Sequence, residues 1–214
     1  MTVVIVGGHG KIALRLARLL SGRGDAVRAL IRNQIQADDV RAAGAEPILC
    51  DLESVDADEL ASAVGAADAV VFAAGAGPGS GSARKETVDY GGATKLIAAA
   101  KANGIARYVM VSSIGADATA KGDETFAVYL RAKGRADEQL VKSGLDYTIV
   151  RPTRLTDDPG DGLVRIGESV ERGSVPRDDV AAVIAAALEE PKTIGRVLEL
   201  TDGDQPIAEA LGAL

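Results

Sequence analysis

Short apolar runs alternate with longer amphipathic stretches along nearly the whole chain. Val3 to Val6 is an unbroken run of branched residues, the pattern of a strand buried on both faces. Lys11 to Ser21 repeats apolar residues at helical spacing. Ile12, Leu16, Leu19 and Leu20 share one face, Arg15 and Arg18 lie off it, and Gly22 and Gly24 end it. Continued in this way, the pattern predicts strands over 26–31, 47–50, 69–73, 108–112 and 146–151. It predicts helices near 36–43 and over 56–64, 87–102 and 124–143. The run from Gly75 to Ser82, rich in Gly, Pro and Ser, is a loop directly after a strand. Past residue 152 the pattern loosens into a strand at 163–166, a helix over 178–189 and a last strand at 197–201. Asp178 or Asp179 is the expected N-cap of that helix.

Alternating β and α elements imply a parallel sheet with right-handed crossovers and helices on both faces. The expected fold class is therefore a doubly wound α/β domain spanning residues 1–214, with a small C-terminal substrate lobe. In such sheets ligands bind outside the carboxyl ends of the strands, where the strand order reverses. Chemistry is expected at the ends of the first, fourth, fifth and sixth strands.

The first strand and first helix are joined by Gly7-Gly8-His9-Gly10-Lys11-Ile12-Ala13. Gly7 permits a tight turn, Gly10 lets the backbone approach a pyrophosphate, and Ala13 is small enough for close helix–strand packing. The helix N-terminus then offers unpaired N–H groups and a partial positive charge to phosphates. His9 reads as a solvated loop residue beside them. A ribose-binding carboxylate commonly ends the second strand of an NAD site. Here the residue is Arg32, whose guanidinium matches a 2′-phosphate. NADP is the expected cofactor, with NAD disfavoured, and Arg28 is a second candidate for the same contact. Asp51 and Leu52 end the third strand, where they can accept from an adenine amino group and cover its ring.

Composition narrows the partners. The 214 residues are 47% hydrophobic and 26% charged, which suits a folded globular protein. Aromatic residues make up only 3% and the net charge is −7, so nucleic acid and anionic membranes are not expected partners. One Cys and one His exclude an internal disulfide and argue against a Cys/His metal site. No apolar stretch is long enough for a membrane span, and none resembles a signal peptide. The expectation is a cytoplasmic monomer or homodimer acting on a small molecule.

Tyr129 and Lys133 are four apart on a helix whose face also carries Phe126, Leu130, Ala136 and Leu140. That face is expected to point inward. An inward lysine needs a partner or a task. Ser112 and Ser113 close the fifth strand. A hydroxyl, a phenol and an ammonium suit carbonyl–alcohol chemistry: the ammonium favours the phenolate, and the phenol exchanges a proton with the substrate oxygen as hydride moves.

The glycine turn, Arg32, Tyr108-Val109-Met110-Val111-Ser112-Ser113, Tyr129-x-x-x-Lys133 and Tyr147-Thr148-Ile149-Val150-Arg151-Pro152 together resemble the atypical short-chain dehydrogenase/reductase superfamily. The likeness is to its NmrA-like and biliverdin/flavin-reductase-like branches, which have Rossmann-like folds, and it covers nearly the whole chain. It implies cofactor contacts at Gly7, Gly10, Arg32, Asp51, Leu52, Ala73, Ala74, Gly75, Lys133 and Pro152. It implies catalysis by Ser113, Tyr129 and Lys133. Asp89 departs from the pattern, since extended members commonly carry Asn there. The activity implied is NADP-dependent hydride transfer to or from a small carbonyl, quinone or similar substrate. The alternatives are a non-catalytic NADP-binding redox sensor and an epimerase or dehydratase that retains NAD.

Overall fold

In the first strand, β1 (Thr2–Val6), alternate side chains enter different cores. Val3 and Ile5 pack on one face of the sheet, Val4 and Val6 on the other. This is what the unbroken apolar run requires, because a strand with no wet face must be covered twice. The computed structural model describes residues 1–77 and 79–214. Pro78, within the expected glycine-rich loop, lies outside the described residues.

β1 pairs in parallel with β2 (Ala26–Ile31) on one side and with β4 (Ala69–Phe72) on the other. β2 continues to β3 (Glu46–Leu49), and β4 continues to β5 (Arg107–Val111) and β6 (Asp146–Pro152). The chain thus starts in the middle of the sheet and winds outward in both directions. The reversal of strand order lies between β1 and β4, where a cleft must open at their carboxyl ends. α1 (Lys11–Gly22), α2 (Ala37–Ala42) and α7 (Arg177–Ala187) cover one face. α3 (Ala57–Val64), α5 (Ala93–Ala102) and α6 (Thr125–Val141) cover the other.

The C-terminal part is richer than the hydrophobic pattern indicated. β7 (Arg154–Thr156) and β9 (Ser174–Pro176) form a separate two-stranded parallel sheet. β8 (Leu163–Gly167) and β11 (Gln205–Pro206) extend the main sheet beyond β10 (Arg196–Asp202), and both added pairings are antiparallel. The wholly parallel sheet expected from β/α alternation therefore holds only from β3 to β10. A final short helix, α8 (Ile207–Gly212), follows. Among the described residues no helix is long and apolar enough to cross a membrane.

Three local expectations are corrected. The helix after β9 starts at Arg177 with Pro176 in the capping position, so Asp178 and Asp179 lie in its first turn. Leu19 is 44% exposed and Phe126 is 66% exposed, although both were expected to face inward. Leu19 sits at the margin of a stripe that Leu16 and Leu20 already fill. Phe126 lies in the first turn of α6, at the mouth of a cleft. The helix expected from residue 87 begins earlier, as α4 (Ser82–Arg84), and runs through a π-helical segment (Lys85–Gly92) into α5.

Candidate functional site

The glycine turn is sterically closed to side chains. Gly7 has φ +83°, and a Cβ there would lie 2.5 Å from the Ala74 Cα. A Cβ on Gly8 would lie 2.6 Å from the Ala29 Cβ. The loop is thereby pressed between β4 and β2 and delivers the chain to α1, which starts without a side-chain cap or an acidic residue in its first turn. The first-turn N–H groups and the positive end of the dipole are left for an anion. These residues fit a dinucleotide pyrophosphate.

Two clefts meet at this turn and share Gly10, Ala73, Ala74, Gly75 and Gly77. The first, about 280 Å³, runs toward the ends of β2 and β3 and carries Arg32, Asp51 and Leu52 with Gly7, Gly8 and His9. Among the described residues Arg32 has no hydrogen-bond or ion-pair partner, and it is exposed at the rim. Arg84 lines the same cleft but is spent on Glu53, through Nε at 3.0 Å and Nη2 at 2.6 Å. That guanidinium and the Thr87 hydroxyl hold the Glu53 carboxyl below the usual carboxylate range. His9 is held by Asp39, 2.7 Å from Nε2, and by Gln36. Arg28 is turned away and donates to the Ala66 carbonyl, which removes it as a phosphate contact.

The second cleft, about 730 Å³, carries Ile12, Lys11, Tyr129, Lys133 and Ser112. Thr125, Phe126, Tyr129 and Lys133 follow one another at helical spacing along α6, so one face of that helix forms a wall. Lys133 is buried. Its Nζ lies 3.2 Å from Asp89 Oδ1, donates to the Val111 carbonyl at 3.1 Å, and sits 5.6 Å from the centre of the Phe72 ring. Burial alone depresses the Lys133 pKa. Asp89, helped by Tyr129 and Asp137, reverses this and leaves it above the ordinary lysine value. The other Asp89 oxygen accepts from the Ala76 amide at 3.1 Å, tying the lysine to the segment after β4.

Of the expected catalytic group, the structure brings Tyr129 and Lys133 into the cleft but not Ser113. The Ser113 side chain is absent from the cleft wall, and its Oγ donates to the Ile114 carbonyl. Ser112 does reach the wall, yet its hydroxyl donates to the buried Asp137 at 2.9 Å. Arg151 completes that cluster at 2.8 Å. Burial raises the Asp137 pKa, and Arg151 and Ser112 offset part of the rise. Pro152 is buried at the end of β6 and also lies away from both cleft walls. Lys11 is at the wall and paired with Asp157.

Sequence reasoning missed Arg84, Lys85 and Asp89 as wall residues. Along the π-helical segment and the residue before it, residues four apart share a face, so Lys85 and Asp89 both line the second cleft while Arg84 and Val88 line the first. The Gly91-Gly92 pair that ends the segment was the available signal, and nothing in it announces a π turn.

A family model described as NAD(P)H-binding matches residues 7–191. The chain is 42% identical, over all of both chains, to the uncharacterized sugar epimerase YhfK of Bacillus subtilis. A Bacillus halodurans protein provisionally named an NAD-dependent epimerase/dehydratase superposes over the full length of both chains, with TM-score 0.92 and 38% identity. The anaerobillin reductase ChuY of Escherichia coli O157:H7 matches with TM-score 0.79 and 26% identity, covering 96% of this chain and 98% of its own. With its glycine turn, its two joined clefts and these relatives, the chain belongs to the NAD(P)H-binding Rossmann family, and its structural neighbours include proteins named as a reductase and as an epimerase/dehydratase.

Proposed function

We propose that residues 1–214 act as one NADP-dependent oxidoreductase domain that moves hydride to or from a small carbonyl, quinone or similar acceptor. One observation carries the reading. The wall that continues from the phosphate turn presents a phenol, Tyr129, one helical turn from a buried ammonium, Lys133. A bound nicotinamide would supply the hydride. Tyr129 supplies or takes the proton at the substrate oxygen. Lys133, fixed by Asp89 and the Val111 carbonyl, supplies a positive charge beside developing oxyanion charge. The apolar residues Ile12, Val111 and Leu155 restrict water along the same wall. Arg32, exposed where the first cleft opens, supports the 2′-phosphate form of the cofactor.

The test is NADPH oxidation against a panel of carbonyls and quinones. Tyr129→Phe should lower kcat for any accepted substrate by about 10²–10⁴-fold and leave cofactor affinity unchanged. If no panel member is reduced, or if Tyr129→Phe turns over like the parent, the assignment falls. A second reading, an epimerase or dehydratase that retains NAD, is favoured by the names of the two Bacillus relatives. Stoichiometric NAD released from the denatured purified protein would select it. The absence of a carboxylate at the end of β2 weighs against it.

A further inference from the structure

Lys85 is one of three lysines lining the second cleft, and the proton chemistry above does not use it. It is only 7% exposed and still lines the cleft. Its Nζ donates to the Gly77 carbonyl at 2.9 Å and stands 5.4 Å from the centre of the Tyr129 ring. A lysine ammonium has three N–H donors. Among the described residues that carbonyl is its only hydrogen-bond acceptor, and no carboxylate lies within ion-pair reach.

The other cations on this wall are already matched. Lys133 has Asp89, while Lys11 and Arg177 both have Asp157. Burying an ammonium with donors to spare is costly unless a ligand uses them. The π-helical segment that aims Lys85 at the cleft is itself an uncommon geometry that concentrates at functional sites. With Asp157 counted beside Asp89, the four cationic side chains of the wall, Lys11, Lys85, Lys133 and Arg177, meet two carboxylates, and among the described residues Lys85 is the one of the four left without a carboxylate partner, in a protein of net charge −7. Such a basic concavity on an acidic molecule draws in anions.

We propose that Lys85 is the anion-binding residue of the substrate cleft, so that the natural substrate carries a carboxylate or phosphate group that docks on its ammonium. The ammonium over the Tyr129 ring then sets how far the reacting carbon stands from the phenol. Lys85 is thus a specificity residue for the oxidoreductase reading, on which the inference rests.

The test uses the NADP-loaded protein and two probes of one shape, benzoate and its uncharged counterpart benzamide, followed by NMR line shifts. A second pair, phenyl phosphate and phenol, separates phosphate from carboxylate preference. At least one anionic probe should bind roughly tenfold or more tightly than its uncharged counterpart, the range of a charge-assisted hydrogen bond. Lys85→Met should erase that preference, Lys85→Arg should keep most of it, and NADP affinity should stay within about twofold in both. Equal binding of charged and neutral probes, including no binding of either, overturns the inference. So does a preference that survives Lys85→Met with unchanged circular dichroism. A tenfold loss of NADP affinity in Lys85→Met would instead make Lys85 a cofactor contact. Probe binding is read without turnover, so an inactive protein that prefers the anion refutes the oxidoreductase reading and leaves the anion site standing.

Discussion

The buried Asp89–Lys133 pair should behave as a unit, and a double-mutant cycle measures this. The charges are 3.2 Å apart, on side chains 0% and 4% exposed. At an effective dielectric of about 20, their attraction is about 5 kcal/mol. Desolvation of the two ions opposes that figure, so the net value of keeping the pair is much smaller. Removing one partner leaves the other charge stranded, however, and each single variant should lose about 3–5 kcal/mol. Asp89→Asn retains an acceptor for the Ala76 amide, and Lys133→Met retains most of the side-chain volume. Asp89→Asn combined with Lys133→Met should therefore cost less than the sum of the singles, with a coupling of about 2–3 kcal/mol. The chain has no Trp, so urea unfolding is best followed by circular dichroism. The pair also predicts a pH dependence. The folded Lys133 pKa is raised, so its contribution is complete below the ordinary lysine value of about 10.4 and is lost as pH climbs through the higher folded value. Single-variant losses that add to within about 0.5 kcal/mol would show that the charges do not interact, and the placement of both side chains would be wrong.

Two further substitutions test other parts of the structure. Arg32→Ala should weaken NADP binding about tenfold to a hundredfold by calorimetry and leave NAD binding nearly unchanged; equal losses for both would remove Arg32 from the site. Gly134→Ala raises intrinsic helix propensity by about 1 kcal/mol, yet it should destabilise the protein. The new Cβ would stand 2.2 Å from the Ala118 backbone nitrogen, in a segment pinned by the Asp117 amide to the Leu130 carbonyl at 3.1 Å. A net cost of about 1–3 kcal/mol would lower Tm by several degrees, and an unchanged or higher Tm would mean the segment is free to move aside.

Much of the fold could be read from local pattern. An all-apolar run such as Val3 to Val6 has few alternatives to a doubly covered strand, and helices between such runs force parallel pairing in the middle of the sheet. The pattern failed where packing overrides periodicity. Phe126 has the spacing of an inward residue, but the helix carries it beyond the sheet to the cleft mouth. β8 and β11 are short and weakly patterned, and their antiparallel pairing depends on which edge β10 leaves open.

The site divides along the same line. The turn from Gly7 to Gly10 was readable because a backbone conformation and a close approach demand glycine by stereochemistry alone, wherever the rest of the chain lies. Tyr129 and Lys133 were readable because helical spacing sets their common face. Other assignments needed the third dimension. Ser112 and Ser113 both follow the end of β5, and only the placement of Asp137 and Arg151 shows which hydroxyl reaches the cleft and what it is bound to. Asp89 and Lys133 are 44 positions apart in the chain, so their ion pair depends on how one helix lies against another. Lys85 enters the cleft through a π-helical segment, a geometry that tertiary packing sustains and residue propensities do not encode.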